Sequence, residues 1–380
     1  MKKATRQQTK THNTRLILRT IYEQGAVSRA DIARATNLTR PTVSSIVASL
    51  IADALVIETG QSPPTGGKPA TLLTIAEDAY QIIAIDLSSE SFCGALINLR
   101  GKISGRAAFA RNGRSGDAAL SLVYELIDAL YNQAETAVLG IGVGTPGLVN
   151  PHQGIIKQAI NLGWQDVHLR DLLAARYQTP IYVANDSHMA ALAEYTFGAA
   201  RDSRHLILIK MGQGISAGIL INGQPLYGDG FGAGEIGHVV VMENGPRCRC
   251  GNRGCLEALI GSNAILAQAS SHAGVATWPE LAAAAGSGDP QAQQVITQAG
   301  RALGIATANL VGSFNIHHII IAGAVSQCGD AFLQAVRQEM AQRVLPAMAA
   351  ETTLRFSSLG DDNVLLGSAA TVLKQELGVI

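Results

Sequence analysis

Residues 235–257 read EIGHVVVMENGPRCRCGNRGCLE. His238, Cys248, Cys250 and Cys255 fall in the pattern H-x9-C-x-C-x4-C. One imidazole and three thiolates form a soft tetrahedral set of the kind zinc prefers. Four protein ligands leave no open position, so such a zinc is structural rather than catalytic. Gly251 and Gly254 let the chain turn tightly around an ion. Arg247, Arg249 and Arg253 are expected to offset the charge of a three-thiolate site, about −1 with zinc bound. The bland alternative is a chance cluster of reduced cysteines. The other two cysteines, Cys93 and Cys328, stand alone in apolar, strand-like stretches and are expected to be buried. Five cysteines behind no secretory signal argue against a disulfide framework.

The stretch lies within a long alternation of strands and helices. Residues 82–87 form an apolar strand ending near Asp86, with 91–98 as its hairpin partner. Further strands are expected at 138–143, 180–184, 205–211 and 316–322, each running into a turn of small or polar residues. Alanine-rich helices are expected at 117–131 and 187–197. This order indicates an α/β protein of two lobes, whose ligands sit beyond the carboxyl ends of the strands.

The first 78 residues read differently. A helix is expected over 13–24, with Leu16, Ile17, Thr20 and Ile21 on one face, and Gly25 stops it. Ser28 caps a second helix over 29–35, with Asp31 placed as in a capping box. Thr39 caps a third over 40–52, with Pro41 in its first turn. Val43, Ile46, Val47 and Leu50 face inward, while Thr42, Ser44, Ser45 and Ser49 face out. Strands at 55–58 and 71–75 flank a Gly/Pro-rich tip carrying Lys68. This is the pattern of a winged helix-turn-helix. Ser28, Thr39, Arg40, Thr42, Ser44, Ser45 and Lys68 are the candidate DNA-contacting residues.

Charge supports the division. Residues 1–75 hold ten Lys/Arg against four Asp/Glu, or +6, while the whole chain balances at 29 against 29. The remaining residues therefore carry −6. A basic end on an acidic body suits a nucleic-acid-binding module, although a solvated basic tail has the same balance. The 47% hydrophobic and 15% charged content fits globular domains rather than disorder, and 380 residues suffice for two or three. No apolar run has the length of a membrane span, and the polar N-terminus is not a secretory signal. A cytoplasmic location is the default expectation.

Taken together, the chain resembles the ROK family (repressors, open reading frames and sugar kinases) of the actin-like ATPase fold. The resemblance rests on Glu235-Ile236-Gly237-His238 with the cysteine loop through Glu257, and on the strand-end turns. The winged helix resembles the repressor branch of that family. It implies an N-terminal winged helix (1–78) and a two-lobed sugar-kinase-like domain (79–380). One lobe would span about 79–195 plus a C-terminal helix near 365–380, and the other about 196–364. It also implies the zinc set of His238 and the three cysteines, and sugar-contacting roles for Gly147, Asn185, Asp186, Glu235, His238 and Glu257. Carboxylates, an amide and an imidazole are the groups that satisfy sugar hydroxyls. Asn185-Asp186 also reads as a helix N-cap, and Asn161 as either a ligand contact or a turn cap.

In the family's kinases, the residue matching Asp186 is the general base. The kinase phosphate loops are altered here, however. Asp-x-Gly-Gly-Thr is replaced by Asp86-Leu87-Ser88-Ser89-Glu90. Gly-Thr-Gly-x-Gly-x-Gly is replaced by Gly212-Gln213-Gly214-Ile215-Ser216-Ala217-Gly218. The adenosine-side glycine run is reduced to Gly323-Ala324-Val325. Side chains replace glycines where backbone must approach phosphate. The expectation is a sugar-responsive, dimeric repressor on an inverted-repeat operator, with no enzymatic activity. A sugar kinase with an appended DNA-binding domain is the alternative.

Overall fold

The computed structural model describes residues 5–63, 69–88, 90–201 and 203–380. Lys68 and Ser89 lie outside the described residues.

Three helices lead the chain: α1 (Arg6–Gln24), α2 (Arg29–Thr36) and α3 (Arg40–Ala52). α1 starts earlier than its apolar face indicates. Thr5 and Gln8 form a capping box that holds a polar first half with little to bury. Ser28 and Asp31 form the expected capping box on α2, and Thr39 caps α3. Strands β1 (Val27–Ser28), β2 (Val56–Gln61) and β3 (Thr71–Ile75) make an antiparallel sheet in the order β1-β3-β2. Arg29 reaches Glu58 at 2.9 Å and ties α2 to the wing.

Next come β4 (Tyr80–Asp86), β5 (Ser91–Asn98), β6 (Ile103–Ala110), α4 (Gly116–Tyr131) and β7 (Ala137–Thr145). A small sheet follows, formed by β8 (Leu148–Asn150), β9 (Ile155–Ala159) and β10 (Trp164–Val167). Then come α5 (Leu169–Ala174), β11 (Ile181–Asn185) and α6 (Asp186–Thr196). The first large sheet has the order β11-β7-β4-β5-β6, with β11, β7 and β4 parallel. The second contains β12 (His205–Met211), β13 (Ile215–Ile221), β14 (Gln224–Pro225), β15 (His318–Ala322) and β16 (Thr353–Phe356), in the order β14-β13-β12-β15-β16. Between its strands lie α7 (Leu256–Ile260), α8 (Ser262–Ala273), α9 (Trp278–Gly286), α10 (Pro290–Phe314), α11 (Gly329–Ala341) and α12 (Pro346–Glu351). The chain closes with α13 (Asn363–Val372) and a π-helical turn over Leu373–Leu377.

These elements stack in layers. α4 covers one face of the first sheet, burying Leu122, Leu126 and Ile127 against Ile83 and Ile141. The other face meets α13, which packs on α6, and α6 covers the second sheet. α10 and α11 cover the far face of the second sheet. α13 and α6 approach so closely at Gly367 that an added Cβ would lie 1.9 Å from the Met189 carbonyl oxygen. The winged helix is not a separate ball. Ile17, Leu18, Ile21, Val43 and Leu50 share one continuous core with Ile82, Ile97, Ala369 and Leu373. α13 packs against β4 and β7 of the first large sheet. It begins at Asn363, earlier than the sequence pattern indicates.

Cys93 and Cys328 are half-buried rather than fully buried. Cys328 ends a 3-10 turn, Ala324–Cys328, and not a strand, because the glycine turn after β15 leads straight into that helix. No helix among the described residues is long and apolar enough to cross a membrane.

Candidate functional site

Strand register builds the first wall of a cleft. Asp86 ends β4 opposite Gly144, and Asn185 ends β11 opposite Thr145, so three parallel strands deliver their carboxyl ends to one place. A cavity of about 290 Å³ opens there. Its lining brings together Gly147, Asn185, Asp186, Glu235, His238 and Glu257, the six residues expected to contact sugar. Gly147 has φ +91, and a Cβ there would lie 2.1 Å from the Gln158 carbonyl oxygen, so only glycine fits.

The six differ in what they have free. Asn185 Oδ1 caps α6, accepting from the Ser187 amide at 2.9 Å and from its hydroxyl at 2.5 Å. Its Nδ2 donates to the Gly147 carbonyl at 2.9 Å, so the cap also holds the glycine turn against the cavity. Asp186 accepts from the Ser187 amide at 2.9 Å through Oδ1 and from Lys210 Nζ at 2.9 Å through Oδ2. Glu257 takes Arg249 Nε at 2.8 Å on Oε1 and the Ile215 amide at 3.3 Å on Oε2. No described residue bonds the Glu235 carboxylate, which lines the cavity from the turn before His238. Burial, with repulsion from Asp186 and Glu257, pushes its carboxyl up to about 7.

Two cavity residues escaped sequence reasoning. Lys210 interrupts an otherwise apolar strand, HLILIKM, and that single charge was the available signal. Arg249 is not spent on the thiolates as expected. It pairs with Glu257 and donates through Nη1 to Asn161 Oδ1, while the Asn161 carbonyl accepts from Arg111 at 2.9 Å. Asn161 thus lines the cavity and joins both sides of a network around it.

The cysteine loop folds back on the same cavity. The ligand atoms of His238, Cys248, Cys250 and Cys255 all lie within 4.8 Å of one another. Cys250 and Cys255 sulfurs are 3.6 Å apart, far beyond a disulfide. Tetrahedral zinc–sulfur bonds of about 2.3 Å place sulfurs about 3.8 Å apart, so the set fits that ion. Cys248 Sγ faces His238 Nδ1 at 3.7 Å, so Nδ1 is the ring nitrogen that would reach an ion held there. Burial and the two neighbouring cysteines push the Cys255 thiol up to about 12. Three thiols so close could all ionise only with a cation among them.

The phosphate-loop positions bond to one another. Glu90 Oε1 accepts from Arg111 at 2.7 Å and from Gln213 Nε2 at 3.2 Å. The Gly212 amide is bonded to the Gly214 carbonyl at 2.9 Å.

The candidate DNA-facing residues gather on α3. Arg40, Ser44 and Ser45 are exposed, and Val43, Ile46, Val47 and Leu50 are buried behind them. Thr39 and Thr42 hydroxyls are 2.8 Å apart at its N-terminus. Ser28 sits apart from this surface. It is 4% exposed, and its hydroxyl donates to Asp31 at 2.6 Å, so it works as a cap. α1 docks on the body: Tyr22 donates to the Leu99 carbonyl at 3.0 Å, and Arg100 donates to the Tyr22 carbonyl at 2.6 Å.

Comparison with known proteins gives a consistent pattern. The family model described as the ROK family matches residues 82–375, and that of the MarR family matches residues 11–66. A xylose repressor of Caldicellulosiruptor bescii is 31% identical over 96% of this chain and 96% of its own length. A glucokinase of Halalkalibacterium halodurans is 32% identical, over 77% of this chain and 95% of its own. The solved structure of a ROK family transcriptional regulator, a homologue of the E. coli MLC protein, superposes with a TM-score of 0.87 at 29% identity, covering 98% of each chain.

Proposed function

The chain belongs to the ROK family, with a MarR-like helix-turn-helix at its N-terminus, and from that premise we propose that it is a sugar-responsive repressor without kinase activity. We divide it into a DNA-binding part, residues 1–78, and a sugar-binding part, residues 79–380. The observation that carries the reading is the Glu235 carboxylate, bonded by no described residue, in a cavity where Asn185, Asp186 and Glu257 are already held in place. Held polar groups around an open acceptor suit a hydroxylated ligand.

In this reading one zinc per chain is held by His238 Nδ1 and the three cysteines. It supplies no reaction chemistry and fixes the loop that presents His238 and Glu257. Ligation at Nδ1 leaves the Nε2–H as a donor to a sugar hydroxyl. The protein acts as a cytoplasmic homodimer, placing two α3 helices in successive major-groove turns of an inverted-repeat operator. Sugar closes the cleft and shifts the spacing of the two winged helices, through the core that α13 shares with α1.

The kinase alternative draws on the retained Asp186 and on the glucokinase likeness. Against it stand the altered loops and the Glu90–Gln213 bond that occupies them. Operator affinity of the full chain, measured with and without a panel of sugars, tests the regulator. Transfer of phosphate from ATP to any of those sugars overturns the non-enzymatic reading.

A further inference from the structure

Lys210 is a partly buried cation lining the cleft. Its Nζ lies 2.9 Å from Asp186 Oδ2, and the two side chains are 21% and 8% exposed. Asp86, 9% exposed, ends β4 at the same strand-end wall of the cleft; burial pushes its carboxyl up, while Lys210 pulls it the other way. Burial works against the ammonium, but the two aspartates outweigh it and hold its proton more tightly than in water. Two carboxylates buried together need a positive partner. In phosphoryl-transfer sites that partner is a divalent cation, held by one or two carboxylates and the substrate phosphates. Here no described carboxylate of the pair is left without the lysine's charge.

Building on the sugar-binding reading, we propose that Lys210 is a resident cation that takes the place of a divalent metal between Asp86 and Asp186, completing the cleft for an uncharged sugar. Two consequences follow. Magnesium has no seat, so a metal–nucleotide complex is rejected at its cation as well as at the phosphate loops. The effector also carries no phosphate. Lys210 is paired with Asp186, and Arg249 is committed to Glu257. Neither cavity cation, Lys210 nor Arg249, is free to receive an anion.

The test uses the full chain and magnesium chloride alone, followed by calorimetry and thermal melting. Wild type melts at the same temperature with and without magnesium. Lys210→Met is stabilised by the ion and binds it roughly tenfold tighter or more, because two buried carboxylates now lack a counter-charge. Adding Asp86→Asn to that variant removes the gain. Failure of Lys210→Met to gain magnesium binding, or equal binding by wild type, overturns the proposal. Should Lys210→Met not fold in plain buffer, refolding with magnesium reads the same quantity: rescue supports the proposal and lack of rescue overturns it. This arm contains no sugar, so it stands apart from the effector reading. A second arm compares glucose, xylose and N-acetylglucosamine with glucose 6-phosphate and N-acetylglucosamine 6-phosphate. A thermal shift by a free sugar alone is expected, and a shift by a sugar phosphate overturns the charge assignment. No shift by any sugar counts against the proposed function, whatever the magnesium arm shows.

Discussion

Gln213 donates from Nε2 to Glu90 Oε1 at 3.2 Å, joining the hairpin loop after β4 to the turn between β12 and β13. These residues stand 123 positions apart, on opposite sides of the cleft. Both stand in the altered loops on the two sides of the cleft, so this hydrogen bond is expected to act as a latch between them. Gln213→Ala is expected to weaken sugar binding roughly two- to tenfold, the worth of one partly exposed hydrogen bond. Calorimetry with the cognate sugar reads it, and unchanged affinity would show that the latch does not contribute to closure.

Removing a zinc ligand should act at a distance from the metal. Cys250→Ala is expected to lose the ion and, with it, the placement of His238 and Glu257. Metal analysis of protein purified without added zinc should give close to one ion per wild-type chain and close to none in the variant. Sugar affinity should fall in parallel. A metal-free protein with normal sugar response would exclude a zinc role in presenting the site.

Asp186→Ala and Glu235→Ala should keep operator affinity and lose the sugar response. Glu235 adds a pH signature. With its carboxyl raised to about 7, the fold favours the neutral form, so its stabilising contribution is lost as pH rises through about 7. Over the same interval the carboxylate gains acceptor capacity, so sugar affinity should rise from pH 6 to pH 8. Glu235→Gln should be flat. Zinc at His238 should pull the transition to lower pH, and comparing loaded with metal-free protein measures that effect.

Arg40 opens the exposed face of α3. Arg40→Ala should weaken operator binding and reduce its salt-dependence slope by about one. Sugar affinity should not move. A footprint over a single half-site would contradict the dimeric arrangement.

Coupling should pass through the α1 junction. Arg100 donates to the Tyr22 carbonyl and also stacks its guanidinium 4.3 Å from the Tyr22 ring centre. Arg100→Ala should leave sugar binding and operator binding each close to wild type while shrinking the effect of one on the other. A coupling of about 1–3 kcal/mol is typical for such linkage, so its loss is readable in operator titrations.

The sequence by itself determined what depends on neighbours along the chain. Helix α3 spans Arg40–Ala52 as its Thr39 cap and apolar spacing predict, and Ser28 with Asp31 forms the capping box. The metal cluster was legible because all four ligands fall within eighteen residues, 238–255, on one loop. Only the tertiary structure decided what each polar side chain is bonded to. It turned Arg249 to Glu257 and Asn161 and buried Ser28 at the start of α2. It also set Lys210 against an aspartate 24 positions away. Caps and periodicity are local, since a turn of backbone fixes which residues meet. Ion pairs across a cleft depend on strand register and layer stacking, and no spacing in the sequence records which charge will face which.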